Sequence, residues 1–124
     1  MPISIKGASG SKLTLGNNPV CVALTERSTK STSYIKMKEF KINTHGYYRV
    51  KFWLGSGFDK VYAIIYKNGA AISQPVSATG TQTADFVFNK NDSCEIWAKT
   101  TGVGSVFIRD ATLNCLEAPT VILN

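Results

Sequence analysis

The alternation of apolar and polar side chains in residues 47–54 is the feature that most constrains the fold of this chain. In this segment (YYRVKFWL) the even positions are all apolar, while Arg49 and Lys51 stand between them. A period of two is typical of a β-strand with one buried face and one face in water. The segment therefore predicts a strand on the surface of a β-sheet.

A second strand pattern and a turn signal follow directly. Residues 60–67 (KVYAIIYK) are apolar on both faces, which is typical of a strand that is covered on both sides. Asn68 and Gly69 come next, and this pair favours a type I′ turn because both residues tolerate positive φ. We predict a β-hairpin at this point.

The rest of the chain repeats the strand pattern in short segments, and no stretch of ten residues has helical periodicity with capping residues. The other predicted strands are residues 3–5, 20–24, 34–42, 70–76, 81–88, 94–99, 105–110, 113–116 and 121–123. We expect the links at residues 43–46, 55–57 and 101–104 to be turns or hairpin loops. We expect eight or nine of these eleven short segments to form strands, and their spacing predicts an all-β fold, an antiparallel sandwich or barrel.

The length of the chain indicates one domain. A chain of 124 residues can bury a core without disulfides or metals. We assign residues 1–25 to an N-terminal arm or first strands and residues 26–124 to a β-sandwich domain. The sequence contains no secretory signal and no run of about 20 apolar residues, which predicts a protein that is made and kept in the cytosol and does not enter a membrane.

The three cysteines, Cys21, Cys94 and Cys115, lie in apolar strand patterns. An odd number of cysteines at long spacings favours buried free thiols. A disulfide between Cys21 and Cys115 is the alternative, because strands near the two ends of a sandwich can be neighbours.

Patterns that mark catalytic or metal sites are missing from the sequence. It has one histidine, His45, in a turn signal, and neither a CxxC nor an HxxxH pair. Its eight carboxylates are scattered, and no segment resembles a nucleophile elbow or a phosphate-binding loop. We predict a protein that is not an enzyme and that needs no metal or cofactor, with His45 a solvated turn residue.

The positive charge is concentrated in one segment. Residues 27–51 contain seven basic residues and one acidic residue, and so carry the whole net charge of +6. If residues 34–42 pair with residues 47–54, the basic side chains share a solvent face beside Tyr47 and Trp53. The basic residues of this face are Lys36, Lys38, Arg49 and Lys51. Three interpretations stay open: a charged edge that prevents aggregation, a surface that docks on an acidic protein, and a surface for single-stranded nucleic acid.

Three aromatic residues, Trp53, Tyr62 and Trp97, are candidates for contact with carbohydrate. Aromatic rings on a sheet surface can pack against sugar rings, but packing in a core or between subunits is the more common use of such residues. Both interpretations stay open for these three residues.

Several segments resemble small β-sandwich modules of tailed-phage virion proteins. The resemblance lies in residues 31–42 (STSYIKMKEFKI), then residues 46–52 (GYYRVKF), then residues 64–69 (IIYKNG), with later strands at residues 96–99 and 106–110. It covers roughly residues 30 to 110. The resemblance implies a jelly-roll-like fold, a place on a virus particle and assembly as a homotrimer, and it offers no active-site residues.

We therefore expect a non-enzymatic structural protein of a phage virion, assembled in the cytoplasm of the bacterial host. A capsid decoration protein that binds the major capsid subunit is preferred over a tail or fibre protein. The predicted contacts with other virion subunits are the N-terminal residues Ile3, Ile5 and Lys12 and the four basic residues Lys36, Lys38, Arg49 and Lys51. The alternative is a receptor-binding module that recognises carbohydrate on the host surface, and a nucleic-acid binder is the weakest of the three.

Overall fold

The computed structural model describes residues 18–116, and this part of the chain consists of β-strands, turns and loops without a helix. All strand pairings are antiparallel. The strands are β1 Asn18–Ala23, β2 Arg27–Thr29, β3 Ile35–Lys41, β4 Gly46–Ser56, β5 Val61–Lys67, β6 Ala70–Ala71, β7 Gly80–Phe88, β8 Ser93–Thr100 and β9 Val106–Cys115. The prediction of an all-β antiparallel fold is confirmed.

These strands form two sheets. Sheet I has the order β1, β9, β4, β7, and β2 also pairs with β9. Sheet II has the order β3, β8, β5, β6. Both sheets contribute side chains to one hydrophobic core, so the arrangement is sandwich-like, with an outer face on each sheet.

The core confirms the alternation that the sequence shows in β4. The four even positions from Tyr48 to Leu54 are at most 6 % exposed, and they share the core with Phe40 of β3 and Ile96 of β8. Burial of a large apolar side chain contributes about 1.5 to 3 kcal/mol. The odd positions of β4 lie on the outer face of sheet I.

The predicted hairpin between β5 and β6 is confirmed. Asn68 and Gly69 have φ angles of 53° and 86°, and Lys67 pairs with Ala70 across the turn. β6 is only two residues long, and the chain rejoins the edge of β5 through a bridge between Val76 and Ala63.

Three of the links that join the two sheets were predicted differently, two of them as hairpin loops and one as the turn between paired strands. β3 and β4 lie in different sheets, and the same holds for β4 and β5 and for β8 and β9. The links, which are residues 42–45, 57–60 and 101–105 in the structure, therefore carry the chain from one sheet to the other. The reason is that a period of two specifies which face of a strand is buried, but it does not specify which strand lies beside it.

Residues 105–110 and 113–116, predicted as two strands, are largely one strand, β9. Its pairing with β4 shifts register, and Asp110 there has a φ of 54°. Such a bulge inserts one extra residue, which allows Ile108 and Leu113 both to face the core despite their odd spacing. The break in the sequence pattern thus marks a bulge.

Two further findings concern a short strand that was not predicted and the cysteines, for which the favoured prediction of free thiols is confirmed at Cys21 and Cys94. Residues 27–29, predicted to be part of a polar connection, form β2 on the edge of sheet I. Cys21 and Cys94 are free thiols, so the alternative disulfide between Cys21 and Cys115 is not formed. Burial, with a smaller contribution from Glu95, raises the pKa of the Cys94 thiol to about 12.

The predicted strands at residues 3–5 and 121–123 lie outside the described residues. Residues 18–116 form no helix that could span a lipid bilayer.

Candidate functional site

The basic face predicted from the sequence is divided between two opposite surfaces. It required β3 to pair with β4, but β3 lies in sheet II and β4 lies in sheet I. Lys36 is therefore on the outer face of sheet II, whereas Arg49 and Lys51 are on the outer face of sheet I. The prediction that these side chains share one face is wrong.

Lys38 does not belong to either outer face. It stands two positions before the buried Phe40, and only 9 % of it is exposed. Its Nζ donates a hydrogen bond to the carbonyl oxygen of Thr25. Burial lowers the pKa of Lys38, and the charge of Arg27 lowers it further. Lys38 thus ties the edge of sheet II to the link between β1 and β2.

Two of the other basic residues are paired within the molecule. Lys36 lies 2.9 Å from Glu39 Oε1 on the same strand. Arg49 donates two hydrogen bonds to Asp85 across the β4–β7 pair, at 2.8 and 3.0 Å. The hydrogen bond from Arg49 lowers the pKa of Asp85. Their charges are therefore partly neutralised before any partner binds.

Lys51 differs from these residues because it forms no hydrogen bond or ion pair with any residue in the described part of the chain. Its neighbours across the outer face of sheet I are Thr83 of β7 and Thr112 of β9. Of the four predicted basic contacts, Lys51 alone projects an uncompensated charge from the part of the molecule that the structure describes.

Trp53 lies beside Lys51 on the outer face, and two neighbours hold its ring. The guanidinium carbon of Arg109 is 3.8 Å from the ring centroid, a distance at which the guanidinium stacks on the ring. On β4 itself, a Cβ on Gly55 would overlap the Cζ3 and Cη2 atoms of the ring. Gly55 therefore provides the space that the ring occupies.

Arg109 is positioned in turn by two carboxylates. Its Nη1 is 3.8 Å from Glu26 Oε1, and its Nε is 3.4 Å from Asp110 Oδ2. The Nε atom is buried, and it makes no hydrogen bond within the described residues. A buried donor that makes no hydrogen bond is uncommon in proteins, and this one lies beside Trp53.

A groove of about 340 Å³ crosses the outer face of sheet I at this point. It begins at Leu24 after β1 and ends at Thr81 on β7. Its lining residues are Leu24, Lys51, Phe52, Trp53, Thr81, Asp110 and Thr112. We call it the sheet I groove. It combines a cation, a carboxylate, two hydroxyl groups and an indole ring.

The outer face of sheet II is an aromatic surface. The rings of Tyr66 and Trp97 stack with centroids 4.6 Å apart. The Nζ atom of Lys99 lies 4.9 Å from the ring centroid of Tyr34 and 5.6 Å from that of Tyr62. Tyr62 and Trp97, two of the predicted carbohydrate contacts, are thus close together, but Trp53 is on the opposite outer face.

Two carboxylates meet beside this aromatic surface. The Ser93 hydroxyl oxygen is 2.6 Å from Glu39 Oε2 and 2.8 Å from Glu95 Oε2. The indole N–H of Trp97 donates to the other oxygen of Glu95. Paired carboxylates are used in glycoside hydrolysis, but here Glu95 is 5 % exposed and both of its oxygens accept hydrogen bonds. The pair therefore links β3 to β8 and holds Trp97.

One end of the molecule presents two exposed apolar side chains on neighbouring loops. Phe58 between β4 and β5 is 78 % exposed, and Val103 between β8 and β9 is 76 % exposed. We call these two residues the apolar tip. They are more exposed than any other large apolar side chain in the described part of the chain.

Hydrogen bonds hold the two loops of the apolar tip together. The N–H of Gly57 donates to the Ser105 carbonyl at 2.8 Å, and the N–H of Gly104 donates to Asp59 Oδ2 at 3.0 Å. Gly104 has no room for a Cβ because Phe58 lies against it. The tip is therefore fixed in place before a partner binds.

The remaining predicted residues have ordinary surroundings or lie outside the structure. His45 is exposed, as predicted, and its Nδ1 is 2.6 Å from Asn89 Oδ1. Among the described residues, no three His, Cys, Asp or Glu side chains are grouped as metal ligands would be. Ile3, Ile5 and Lys12 lie outside the described residues, so their role in docking stays a prediction.

Sequence reasoning missed the residues that build the sheet I groove and the apolar tip. Arg109 and Asp110 were assigned to a strand end, and Gly55 was assigned to a loop. The Trp-x-Gly pattern could have predicted the position of the Trp53 ring. A glycine two positions after a tryptophan on a strand lies on the same face and leaves space for the ring. For Val103 the signal was an apolar residue between two loop glycines, and for Phe58 it was an apolar residue directly after Gly57.

Comparison with known proteins gives no family for this chain. No model of a known protein family matches it, and no curated protein sequence matches it.

Proposed function

We propose that this chain is a jelly-roll module that works as a non-enzymatic structural protein of a phage virion. The jelly-roll part of this proposal is supported by the strand orders, which are β1, β9, β4, β7 in one sheet and β3, β8, β5, β6 in the other. In these orders successive strands alternate between sheets, apart from the β5–β6 hairpin and the short β2. Jelly rolls of this kind serve as capsid and lectin domains.

The apolar tip is the observation that carries the docking role. Most large apolar side chains in the described residues are covered, but Phe58 and Val103 project from loops that are already fixed. Exposed apolar groups on a rigid support are typical of protein–protein contact, because little conformational entropy is lost on binding. We assign the tip as the anchor that enters an apolar site on another virion subunit, either the major capsid protein or a tail protein.

Electrostatic docking through one basic face is no longer part of this proposal. Lys38 is directed inward, and Lys36 and Arg49 have partners within the chain. The positive charge of residues 27–51 is thus spread over both outer faces, where it discourages edge and face aggregation. The placement on a virion rests on the resemblance of residues 30 to 110 to phage modules.

A homotrimer is the proposed oligomer, as the same resemblance implies. The aromatic surface of sheet II offers Tyr34 and Tyr62 as apolar contacts between copies. Light scattering of the purified protein should give a mass three times that of one chain. A mass equal to one chain at micromolar concentration would contradict the trimer.

Isolation of particles tests the virion proposal. Phage particles purified from the bacterium that carries this gene should contain the chain in a fixed ratio to the major capsid or tail protein, measured by quantitative mass spectrometry. Particles that contain every other structural protein but not this chain would contradict the proposal.

A further inference from the structure

The outer face of sheet I carries features that docking through the apolar tip does not use. The sheet I groove has the size of a small-molecule site, since such sites begin at about 300 Å³. It runs from Leu24, directly after β1, across β9 and β4 to β7, and three spacings between neighbouring strands give it a span of about 14 Å. A ligand in it would be elongated and would lie across the strands.

The residues that line the groove carry charges of both signs and many hydrogen-bonding groups. Lys51 donates, Asp110 accepts, and the hydroxyls of Thr81 and Thr112 do both. Trp53 adds an indole ring whose position is set by Arg109 and Gly55. A ligand that matches this lining has many groups that both donate and accept, together with apolar C–H surfaces.

The conformation of Asp110 also points to a ligand. Its φ of 54° is uncommon for residues other than glycine, although aspartate and asparagine adopt it more readily than most, and its N–H is bonded to the carbonyl of Leu24 at 3.1 Å. Strained residues of this kind cluster at binding sites. Here the bulge puts the Asp110 carboxylate in the groove, 3.4 Å from the buried Arg109 Nε, which forms an ion pair with it but no hydrogen bond within the described residues.

We propose that the sheet I groove binds a short oligosaccharide, with Lys51 and Asp110 hydrogen-bonded to its hydroxyl groups and Trp53 packed against its C–H surface. Arg109 and Gly55 are positioning residues, because they fix the ring of Trp53. The groove would bind this ligand wherever the protein is located, so the saccharide site goes beyond the virion proposal.

Nucleic acid fits the same groove less well. A phosphate backbone requires a groove that is positive along its length, but Asp110 contributes a negative charge to its lining and Glu26 adds another beside Arg109. The aromatic surface of sheet II is less suited to binding sugar than the sheet I groove. Tyr66 stacks on the ring of Trp97, and the indole N–H of Trp97 already donates a hydrogen bond to Glu95.

An array of bacterial and animal surface oligosaccharides tests this site. The protein is biotinylated and displayed on streptavidin, so that weak contacts become multivalent. The test variant is Lys51→Ala with Asp110→Asn, because Lys51 is exposed and asparagine tolerates positive φ. The matched control is Lys90→Ala, which removes an exposed lysine from a turn outside the groove.

We expect the natural protein and Lys90→Ala to bind the same oligosaccharides, and the groove variant to bind them at least about tenfold more weakly. The inference is overturned if the natural protein binds no oligosaccharide on the array, or if the groove variant binds as the natural protein does. It is also overturned if a ten-nucleotide deoxythymidine oligomer binds at low micromolar concentration and the groove variant loses that binding.

This test is separate from the test of docking. A variant with Phe58→Ser and Val103→Ser keeps the sheet I groove, so it should bind oligosaccharides as the natural protein does. Failure of the array therefore leaves the docking proposal intact, and absence from particles leaves the saccharide site intact.

Discussion

The ring of Trp53 occupies the space above Gly55, two positions later on the same face of β4. Any side chain at position 55 would overlap the ring, so glycine here is required by packing and not by a turn. The guanidinium of Arg109 also packs against the ring, with its central carbon 3.8 Å from the ring centroid. A residue that sequence reasoning treats as part of a loop thus fixes the aromatic group of the sheet I groove.

Gly55→Ala should displace the Trp53 ring. We expect a loss of about 1 to 3 kcal/mol in the free energy of unfolding, the usual cost of an added methyl group without space for it. Urea denaturation measures this loss, and tryptophan emission in a Trp97→Phe background reports the movement of the ring. Gly57→Ala is the matched control, since a Cβ there meets Phe107 only at 3.4 Å, and it should leave both readings nearly unchanged.

Asp85→Asn should lower stability at neutral pH and have less effect in acid. Arg49 lowers the pKa of Asp85 in the folded protein, so the carboxylate stabilises the fold above its unfolded pKa of about 4, and this contribution is lost as the pH falls through the lower folded pKa. The urea midpoints of the natural protein and of Asp85→Asn, compared between pH 3 and 7, measure this contribution. A difference that stays constant down to pH 3 would show that the Arg49–Asp85 pair is not responsible.

Lys36→Ala and Lys38→Ala should differ although the residues are close in sequence. Lys38 packs inward and its Nζ donates to the Thr25 carbonyl, so we expect Lys38→Ala to cost about 1 to 2 kcal/mol. Lys36 is exposed, so Lys36→Ala should change the free energy of unfolding little. Equal urea midpoints for the two variants would place Lys38 on the outer face and contradict the structure.

Cys94 should resist alkylation in the folded protein. The thiolate is the reactive form, and burial raises the pKa of the Cys94 thiol to about 12. Treatment with iodoacetamide at pH 8, followed by peptide mapping, should modify the half-buried Cys21 well before Cys94. Labelling of Cys94 should appear only when urea unfolds the chain, and labelling of both at the same rate in buffer would refute the assigned burial.

The strands were largely predictable from the sequence because each strand has a buried face. In β4 the apolar residues at every second position identified the core side chains, and Asn68 with Gly69 identified the hairpin. The neighbour of β3 could not be predicted, because its periodicity is compatible with pairing to β4, as we expected, and with pairing to β8, as the structure has it. The error then placed Lys36 and Arg49 on one face.

The candidate sites were predictable only in part. Lys51 and Trp53 were identified as surface residues of one strand, and they do line the sheet I groove. Their partners Arg109 and Asp110 come from β9, more than fifty residues later, and only the pairing of β9 with β4 brings them near. The apolar tip likewise depends on two loops that are distant in sequence and meet because β4 and β9 are neighbours.

The most direct test of the docking account is co-sedimentation with phage particles prepared without this chain. The natural protein, a Phe58→Ser and Val103→Ser variant, and a Val87→Ser control are compared at equal concentration. Val87 is a suitable control because it is an exposed apolar residue on β7, away from the tip. Urea midpoints confirm that all three proteins are folded.

The account predicts that the tip variant binds particles at least about tenfold more weakly, as expected when two anchoring apolar side chains are removed, while Val87→Ser binds as the natural protein does. Equal occupancy of the particles by the tip variant and the natural protein would contradict it.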